Sequence, residues 1–133
     1  MNKITTVILL ALAAMRHAQA AEPTVITLSC DGTVRDSRAS IGKGRSIKNM
    51  GLVTNLAERT VSFSSYVIHI DNVTAANISF SGETTTQFGG AAGIKITVVG
   101  DIDRVTGAMT ATTESPIWTD TYDLLCQPAR PSF

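Results

Sequence analysis

The fold of this chain follows from one stretch near its end, Trp118-Thr119-Asp120-Thr121-Tyr122-Asp123-Leu124-Leu125-Cys126. Apolar residues recur at every second position, which is the period of a β-strand with one buried face. Trp118, Tyr122, Leu124 and Cys126 fall on that face. Asp120 shares it, so it is the one acid that we expect to point inward. The stretch predicts a last strand that carries Cys126 on its core side.

The second cysteine, Cys30, occupies the same kind of position near the start of the chain, because Ile26, Leu28 and Cys30 also recur at every second position. A disulfide needs Cα atoms within ~7 Å of each other. Pairing of Cys30 with Cys126 therefore predicts that the first and last strands lie side by side. Two unpaired buried thiols are the alternative. Disulfides persist in oxidising compartments, so the pair also indicates export.

The chain between the two cysteines repeats the strand pattern. Val, Ile and Thr favour strands and dominate these runs, and turn signals separate them at intervals of about ten residues. Residues 57–59 and 103–107 are predicted as charged hairpin turns. We predict an all-β domain, a single small antiparallel meander of about eight strands closed into a barrel, with a flattened sandwich as the alternative. A barrel of this size is filled by side chains or holds one small ligand.

Residues 1–20 have the order of a secretory signal peptide. Lys3 gives the positive start, an apolar run follows that is shorter than the ~20 residues of a membrane-spanning helix, and residues 18–20 read Ala-Gln-Ala. We expect cleavage after Ala20, with an uncleaved membrane anchor as the alternative. Residues 21–133 then form a single exported domain, periplasmic or secreted, with no membrane span. The brevity of the signal is typical of bacteria.

The charge balance excludes two classes of partner. The full chain carries 11 basic and 11 acidic residues. Loss of residues 1–20 removes Lys3 and Arg16 and no acid, which leaves nine basic against eleven acidic residues, or a net charge of about −2. Nucleic acids and anionic membranes are bound by basic domains. We therefore expect neither as a partner.

Residues that could carry catalysis are few. His69 is the one histidine of the predicted mature domain, and neither a Gly-x-Ser-x-Gly motif nor a zinc-ligand spacing occurs. A disulfide removes both cysteines as nucleophiles. The carboxylates are scattered, and Asp101 and Asp103 are too few for a Ca²⁺ site, which takes about six or more oxygens. We predict no catalytic residue, no metal site and no cofactor.

One segment differs from the rest in being rich in basic residues. It runs from residue 35 to residue 48 with a single acid, Asp36, and two glycines. We predict an irregular loop there, and long loops are often functional. The hypothesis is a contact surface for an acidic envelope partner or an anionic polysaccharide, and a solvated loop without a partner is the alternative. The residues of this predicted partner-binding loop are Arg35, Arg38, Lys43, Arg45 and Lys48.

Four stretches are similar to those of a group of small exported bacterial proteins of unknown function. That resemblance implies an exported domain and transfers no activity. The stretches are Thr27-Leu28-Ser29-Cys30-Asp31-Gly32-Thr33, Ala57-Glu58-Arg59-Thr60-Val61-Ser62-Phe63, Ile102-Asp103-Arg104-Val105-Thr106-Gly107 and Tyr122-Asp123-Leu124-Leu125-Cys126.

A weaker and partial similarity is to the small periplasmic inhibitors of C-type lysozyme. Those proteins are also β-barrels, with an early Cys-x-x-Gly-like segment and a disulfide near the end. Here Gly32 stands one place closer to Cys30 than in that segment. Their Ser-Gly-x-x-Tyr inhibitory motif is not matched, because Ser81 and Gly82 are followed by Glu-Thr-Thr. The resemblance implies an inhibitor, and no residue role carries over from it.

Three hypotheses on function follow. The first is a non-enzymatic exported barrel that binds a small apolar ligand inside or a partner at its loops. The second is a periplasmic protein inhibitor that acts through the basic segment. The third is a hydrolase of envelope material, which requires two carboxylates that converge in a cleft.

Overall fold

The computed structural model describes residues 23–38, 44–86 and 93–130. The predicted signal peptide, residues 1–20, lies outside the described residues. Within the described ranges the chain consists of strands and turns, without a helix. The eight strands are β1 (Val25–Asp36), β2 (Arg45–Asn55), β3 (Thr60–Phe63), β4 (Tyr66–Val73), β5 (Asn77–Thr86), β6 (Ile94–Asp103), β7 (Ala108–Glu114) and β8 (Thr119–Pro128).

The strands form a closed barrel. Each pairs antiparallel with its neighbours in chain order, and β8 pairs back with β1. This confirms the predicted meander barrel and not the flattened sandwich. Cys30 and Cys126 are direct cross-strand partners with their Cα atoms 4.0 Å apart, and they form the predicted disulfide. A covalent bond therefore joins the first and last strands where the barrel closes.

Strand alternation determines which side chains point inward. In β7, for example, Met109, Ala111 and Thr113 are buried while Ala108, Thr110 and Glu114 are exposed. Most outward positions are polar, so the described barrel has an apolar interior and a largely polar surface. The largest side chains that are less than 2% exposed are Phe63, Phe80, Leu52, Ile68, Ile70, Ile96 and Met109.

Aromatic rings fill one part of the interior. Phe63 lies at the centre of the cluster, with its ring centroid 5.6 Å from Tyr66, 5.9 Å from Phe80 and 5.5 Å from Tyr122. These spacings are those of favourable tilted and edge-to-face ring pairs. A Cβ at Gly100 would lie 2.5 Å from Cζ of Phe80, so the missing side chain of Gly100 makes room for this ring. The interior at this level is packed with side chains.

The two ends of the barrel differ. The start of β1, the end of β8 and the β2–β3, β4–β5 and β6–β7 turns lie at one end, which we call the terminus end. The β3–β4 and β7–β8 turns lie at the other, which we call the loop end. Residues 57–59 and 104–106 are turns at the terminus end, as predicted from their charged sequences.

The basic segment is less irregular than predicted. β1 continues to Asp36 and β2 begins at Arg45, so the expected loop over residues 35–48 was wrong for much of its length. Alternation in this segment is masked by charged and small residues, yet pairing with β8 and β2 supplies the backbone hydrogen bonds that hold it extended. Residues 39–43 lie outside the described residues.

One observation bears on the compartment. The disulfide is consistent with an exported protein, because oxidising compartments preserve such bonds. In the described part of the chain, the structure contains no helix of the length and apolarity needed to span a membrane.

Candidate functional site

A cavity opens at the terminus end of the barrel. Its volume is about 420 Å³, and inward-facing apolar residues of the wall form much of its lining, among them Ile26, Leu28, Ile78 and Ile102. Ile26 and Leu28 are half-buried, so they remain accessible from solvent. Small-molecule sites in proteins are concave, mostly apolar and of about 300–1,000 Å³. We call this cavity the apolar pocket.

A small number of polar groups complete the apolar pocket. The hydroxyl of Thr54 lies in the wall, is almost fully buried and donates only a long hydrogen bond of 3.4 Å to the carbonyl oxygen of Ile26. Gln127 contributes an exposed amide from the end of β8. These groups provide the hydrogen-bonding capacity that orients a ligand in a mostly apolar site.

The β6–β7 turn forms one rim of the apolar pocket and is held by its own hydrogen bonds. Asp103 accepts bonds from the backbone N–H groups of Val105 (2.8 Å) and Thr106 (3.0 Å), and these bonds lower the pKa of its carboxyl group. Arg104 donates to the carbonyl oxygen of Thr74 at 2.8 Å, which ties the rim to the neighbouring turn. Val105 is 80% exposed beside the opening. The rim is therefore ordered and presents an apolar side chain.

A second constellation lies at the loop end, where charged groups meet the indole of Trp118. Both carboxylate oxygens of Asp36 accept bonds from the guanidinium of Arg38, at 3.0 and 3.1 Å from Nε and 2.5 Å from Nη2. The guanidinium carbon lies 5.0 Å from the Trp118 ring centroid, which is a cation–π distance. We call Asp36, Arg38, Trp118 and Asp120 the charged cluster.

Two carboxylates face each other within the charged cluster. Asp36 and Asp120 are direct cross-strand partners on β1 and β8. Hydrogen bonds from Arg38 lower the pKa of Asp36 from 3.8 to about 2, whereas partial burial, with a smaller contribution from the charge of Asp36, raises the pKa of Asp120. Asp120 is partly buried, in line with its predicted inward position.

Two neighbouring carboxyl groups whose pKa values are shifted in opposite directions, as those of Asp36 and Asp120 are, meet the electrostatic condition for acid–base chemistry. Here the pair is incomplete as a catalytic site, because Arg38 occupies both oxygens of Asp36 and so removes this carboxylate as a free nucleophile or base. Thr113, the partner of Asp120 on β7, is fully buried, and its hydroxyl oxygen makes no hydrogen bond in the described chain. This end of the interior therefore contains one polar atom whose burial is not compensated.

The residues of the predicted partner-binding loop are placed on two strands and one turn. Arg35 lies on β1, Arg38 in the turn after it, and Arg45 and Lys48 on β2. Lys43 lies outside the described residues. Arg35, Arg45 and Lys48 are exposed and form no ion pair within the described chain, whereas Arg38 is bound to Asp36. The first three, and not Arg38, thus remain available to a partner.

The other residues considered from the sequence occupy the outer surface or turns. His69 points outward from β4. Asp101 accepts bonds from Thr110 at 3.0 Å and Asn77 at 3.4 Å. Across residues 23–38, 44–86 and 93–130, no three His, Cys, Asp or Glu side chains come together as a metal site would require.

Sequence reasoning missed the apolar pocket. Its lining comes from β1, β2, β5, β6 and β8, which are far apart in the chain. Thr54 was not predicted to face inward because it is polar, although it is in phase with Met50 and Leu52 on β2. Ile102 was not assigned to the core because it directly precedes the predicted charged turn over residues 103–107, yet it is in phase with Ile96 and Val98. Extending the period-two pattern through these positions would have identified both as inward-facing.

Comparison with protein-family models, with curated proteins and with solved structures found no match. The resemblances drawn from the sequence therefore stay predictions.

Proposed function

We propose that this protein is an exported, non-enzymatic binding module that takes a small apolar ligand in the apolar pocket. The cavity itself is the observation that carries the proposal: about 420 Å³, lined mainly by apolar side chains and open at one end of a covalently closed barrel. The signal-like residues 1–20 and the disulfide support an exported location, periplasmic or secreted, in a bacterium.

The packing of the barrel limits the kind of ligand. The aromatic cluster around Phe63 fills the interior towards the loop end, so a long acyl chain has no continuous channel to enter. The Thr54 hydroxyl and the Gln127 amide each offer one polar contact near the opening. We therefore infer a compact, mostly apolar ligand with one hydrogen-bonding group.

The direct test is titration with an apolar fluorescent probe, N-phenyl-1-naphthylamine, whose emission rises on transfer from water to an apolar site. We expect saturable one-to-one binding to the full mature domain. Ile26→Trp fills the pocket from a half-buried position and is expected to weaken binding at least tenfold. Val67→Trp is the matched control, because Val67 is 66% exposed on β4 and does not line the pocket. Equal binding by the two variants would remove the proposal.

Native mass spectrometry of the protein purified from its own source provides an independent test. A retained small molecule whose occupancy falls in Ile26→Trp would support the proposal. A clean apo mass for the wild type, together with no probe binding, would count against it.

The absence of an enzymatic role stays part of the proposal. It is supported by the Arg38 contacts that occupy Asp36 within the opposed pair with Asp120. An envelope hydrolase would need Asp36 free, so Arg38→Ala is the variant in which a latent activity would show. Hydrolysis of peptidoglycan by the wild type that is lost in Asp120→Asn would contradict the non-enzymatic proposal. The inhibitor hypothesis requires a surface that binds a protein partner, and the apolar pocket is not such a surface.

A further inference from the structure

The wall of the barrel is not of even height. β3 has four residues, and its pairing with β2 covers only residues 52–55 of that strand. Residues 45–51 of β2 therefore continue towards the loop end with β1 on one side and, among the described residues, no strand on the other. At about 3.3 Å per residue, this is roughly 20 Å of strand paired on one side only. We call residues 45–51 the β2 edge.

The far side of the gap is also incompletely paired. Among the described residues, the backbone pairing of β4 with β5 runs from Val73 and Ile78 to Ile70 and Phe80, and residues 81–86 of β5 continue in backbone pairing with β6. The short β3–β4 hairpin is thus flanked by two taller strands. In the part of the chain that the structure describes, the wall of the closed barrel has a notch at the loop end.

The β2 edge is accessible. Arg45, Ser46, Lys48, Asn49 and Gly51 are all exposed. A Cβ placed on Gly51 would meet nothing within 4 Å, so the outer face of the strand is open at this position.

The backbone groups that face the notch follow from the alternation of an antiparallel ladder. The N–H of Cys126 donates to Gly107 on the β7 side, so the backbone groups of its partner Cys30 turn towards β2, as do those of Val34. Val34 pairs with Arg45, which leaves the N–H and C=O of Ser46 directed away from β1. Ser46 therefore offers a main-chain donor and acceptor to an incoming strand.

Side chains on both faces of the β2 edge indicate what would bind there. Ile47 and Met50 are half-buried apolar residues that pack against the core below the notch. Lys48 lies on the strand as an exposed cation, with Arg45 at its start and Arg35 on the adjacent strand. The nearby Asp36 is already engaged by Arg38, so it does not neutralise these three charges by direct contact.

We propose that the β2 edge is a docking site for an extended acidic segment of a partner protein, which adds to the barrel wall as a further strand. Main-chain hydrogen bonds supply affinity in this mode of recognition, and alternating side chains supply specificity. An apolar residue at every second position would cover Ile47 and Met50, and acidic residues between them would meet Lys48 and the neighbouring Arg35. This site is separate from the apolar pocket, which lies at the opposite end of the barrel.

The bulge within the edge sets the register of the added strand. Asn49 has a φ of 53°, its N–H donates to the carboxylate of Asp31 at 2.7 Å, and the pairing with β1 shifts register around it. A bulge of this kind bends an edge strand and prevents indiscriminate pairing of flat edges. We therefore expect selectivity for a short segment rather than edge-to-edge association of two barrels.

The experiment uses a fluorescein-labelled octapeptide of alternating glutamate and valine, with an octapeptide of alternating lysine and valine as control. We expect fluorescence anisotropy to report binding of the acidic peptide at least tenfold tighter than the basic one. Binding should weaken at least tenfold between 50 and 500 mM NaCl because exposed charges are screened. Amide NMR shifts should be confined to residues 45–51 and their neighbours on β1.

Two variants separate the contributions of charge and backbone. The double substitution Arg35→Glu, Lys48→Glu is expected to reduce binding at least tenfold, whereas Arg130→Glu makes one such change at the terminus end and leaves it unchanged. Ser46→Pro removes the donor that faces the notch and is expected to weaken binding, with circular dichroism showing that the barrel is retained. Equal binding of both peptides, or shifts confined to the apolar pocket, would overturn the proposal. Self-association abolished by the double substitution would assign the edge to a second copy of this chain instead.

Discussion

Removal of the seam disulfide is expected to destabilise the domain severely. The double variant Cys30→Ala, Cys126→Ala opens a loop whose ends are 96 residues apart in sequence. In the chain-entropy model, closing such a loop reduces the entropy of the unfolded chain by an amount worth about 4.7 kcal/mol at 25 °C. Cys30 is fully buried and Cys126 is 7% exposed, so loss of the two sulfur atoms adds about 1 kcal/mol of lost packing.

Urea unfolding followed by the fluorescence of Trp118, the single tryptophan, measures this loss. Wild type reduced with dithiothreitol is the matched control, because it keeps both sulfur atoms and loses only the cross-link. We expect a decrease in the free energy of unfolding of about 4–5 kcal/mol on reduction, and about 1 kcal/mol more for the alanine variant. The denaturant slope should also rise, because an unlinked unfolded chain exposes more surface.

Such a loss is a large fraction of the roughly 5–15 kcal/mol that stabilises a typical domain. The structure also provides a competing view, in which pairing of β1 with β8 closes the barrel without help from the covalent bond. A decrease below about 1 kcal/mol on reduction, with an unchanged denaturant slope, would refute the entropic reasoning and favour that view.

Three further predictions follow from individual residues. Thr113→Val removes a buried hydroxyl without a partner in the described chain and is expected to raise the free energy of unfolding by up to about 1 kcal/mol, measured by urea unfolding; a decrease of that size would show that the hydroxyl is hydrogen-bonded. Gly100→Ala places a methyl group against the buried ring of Phe80 and is expected to lower the free energy of unfolding by about 1–3 kcal/mol. In the control Gly51→Ala the methyl group enters open space, so the free energy of unfolding should change by less than about 0.5 kcal/mol. Equal effects of the two substitutions would contradict the packing described. The Asp36 carboxyl should titrate with a pKa of about 2 by NMR, and this pKa should move towards 3.8 in Arg38→Ala; a pKa that stays at its wild-type value in the variant would remove Arg38 as the cause. Because the pKa of Asp36 is lowered in the folded state, its contribution to stability is present above pH 3.8 and is lost as the pH falls towards 2.

The sequence predicted the parts of the fold that depend on local alternation. The stretch that ends at Cys126 became β8 with its expected faces, and the partial burial of Asp120 agrees with the inward position predicted from the same pattern. The closure of the barrel followed from the two cysteines, because a covalent bond imposes proximity whatever lies between them. The first inference needs the sequence of a single strand, and the second needs a single covalent bond.

Features that depend on several strands at once were not predictable. The apolar pocket collects residues from five strands, and the notch exists because β3 is shorter than its neighbours. The extension of β1 to Asp36 was missed because its pairing partners, and not its own composition, hold it extended. A single sequence carries no direct signal for such pairing, since strand preferences depend strongly on context.

The position of the cross-link has a mechanical consequence. A pulling force applied to the chain before Cys30 and after Cys126 is carried by the sulfur–sulfur bond, so the chain between the two cysteines cannot be extended while that bond is intact. Under tension the oxidised domain behaves as an inextensible link, and reduction would release roughly 300 Å of additional contour length. Tethered between two handles, the molecule would transmit tension without unfolding, and it would yield only where its surroundings become reducing.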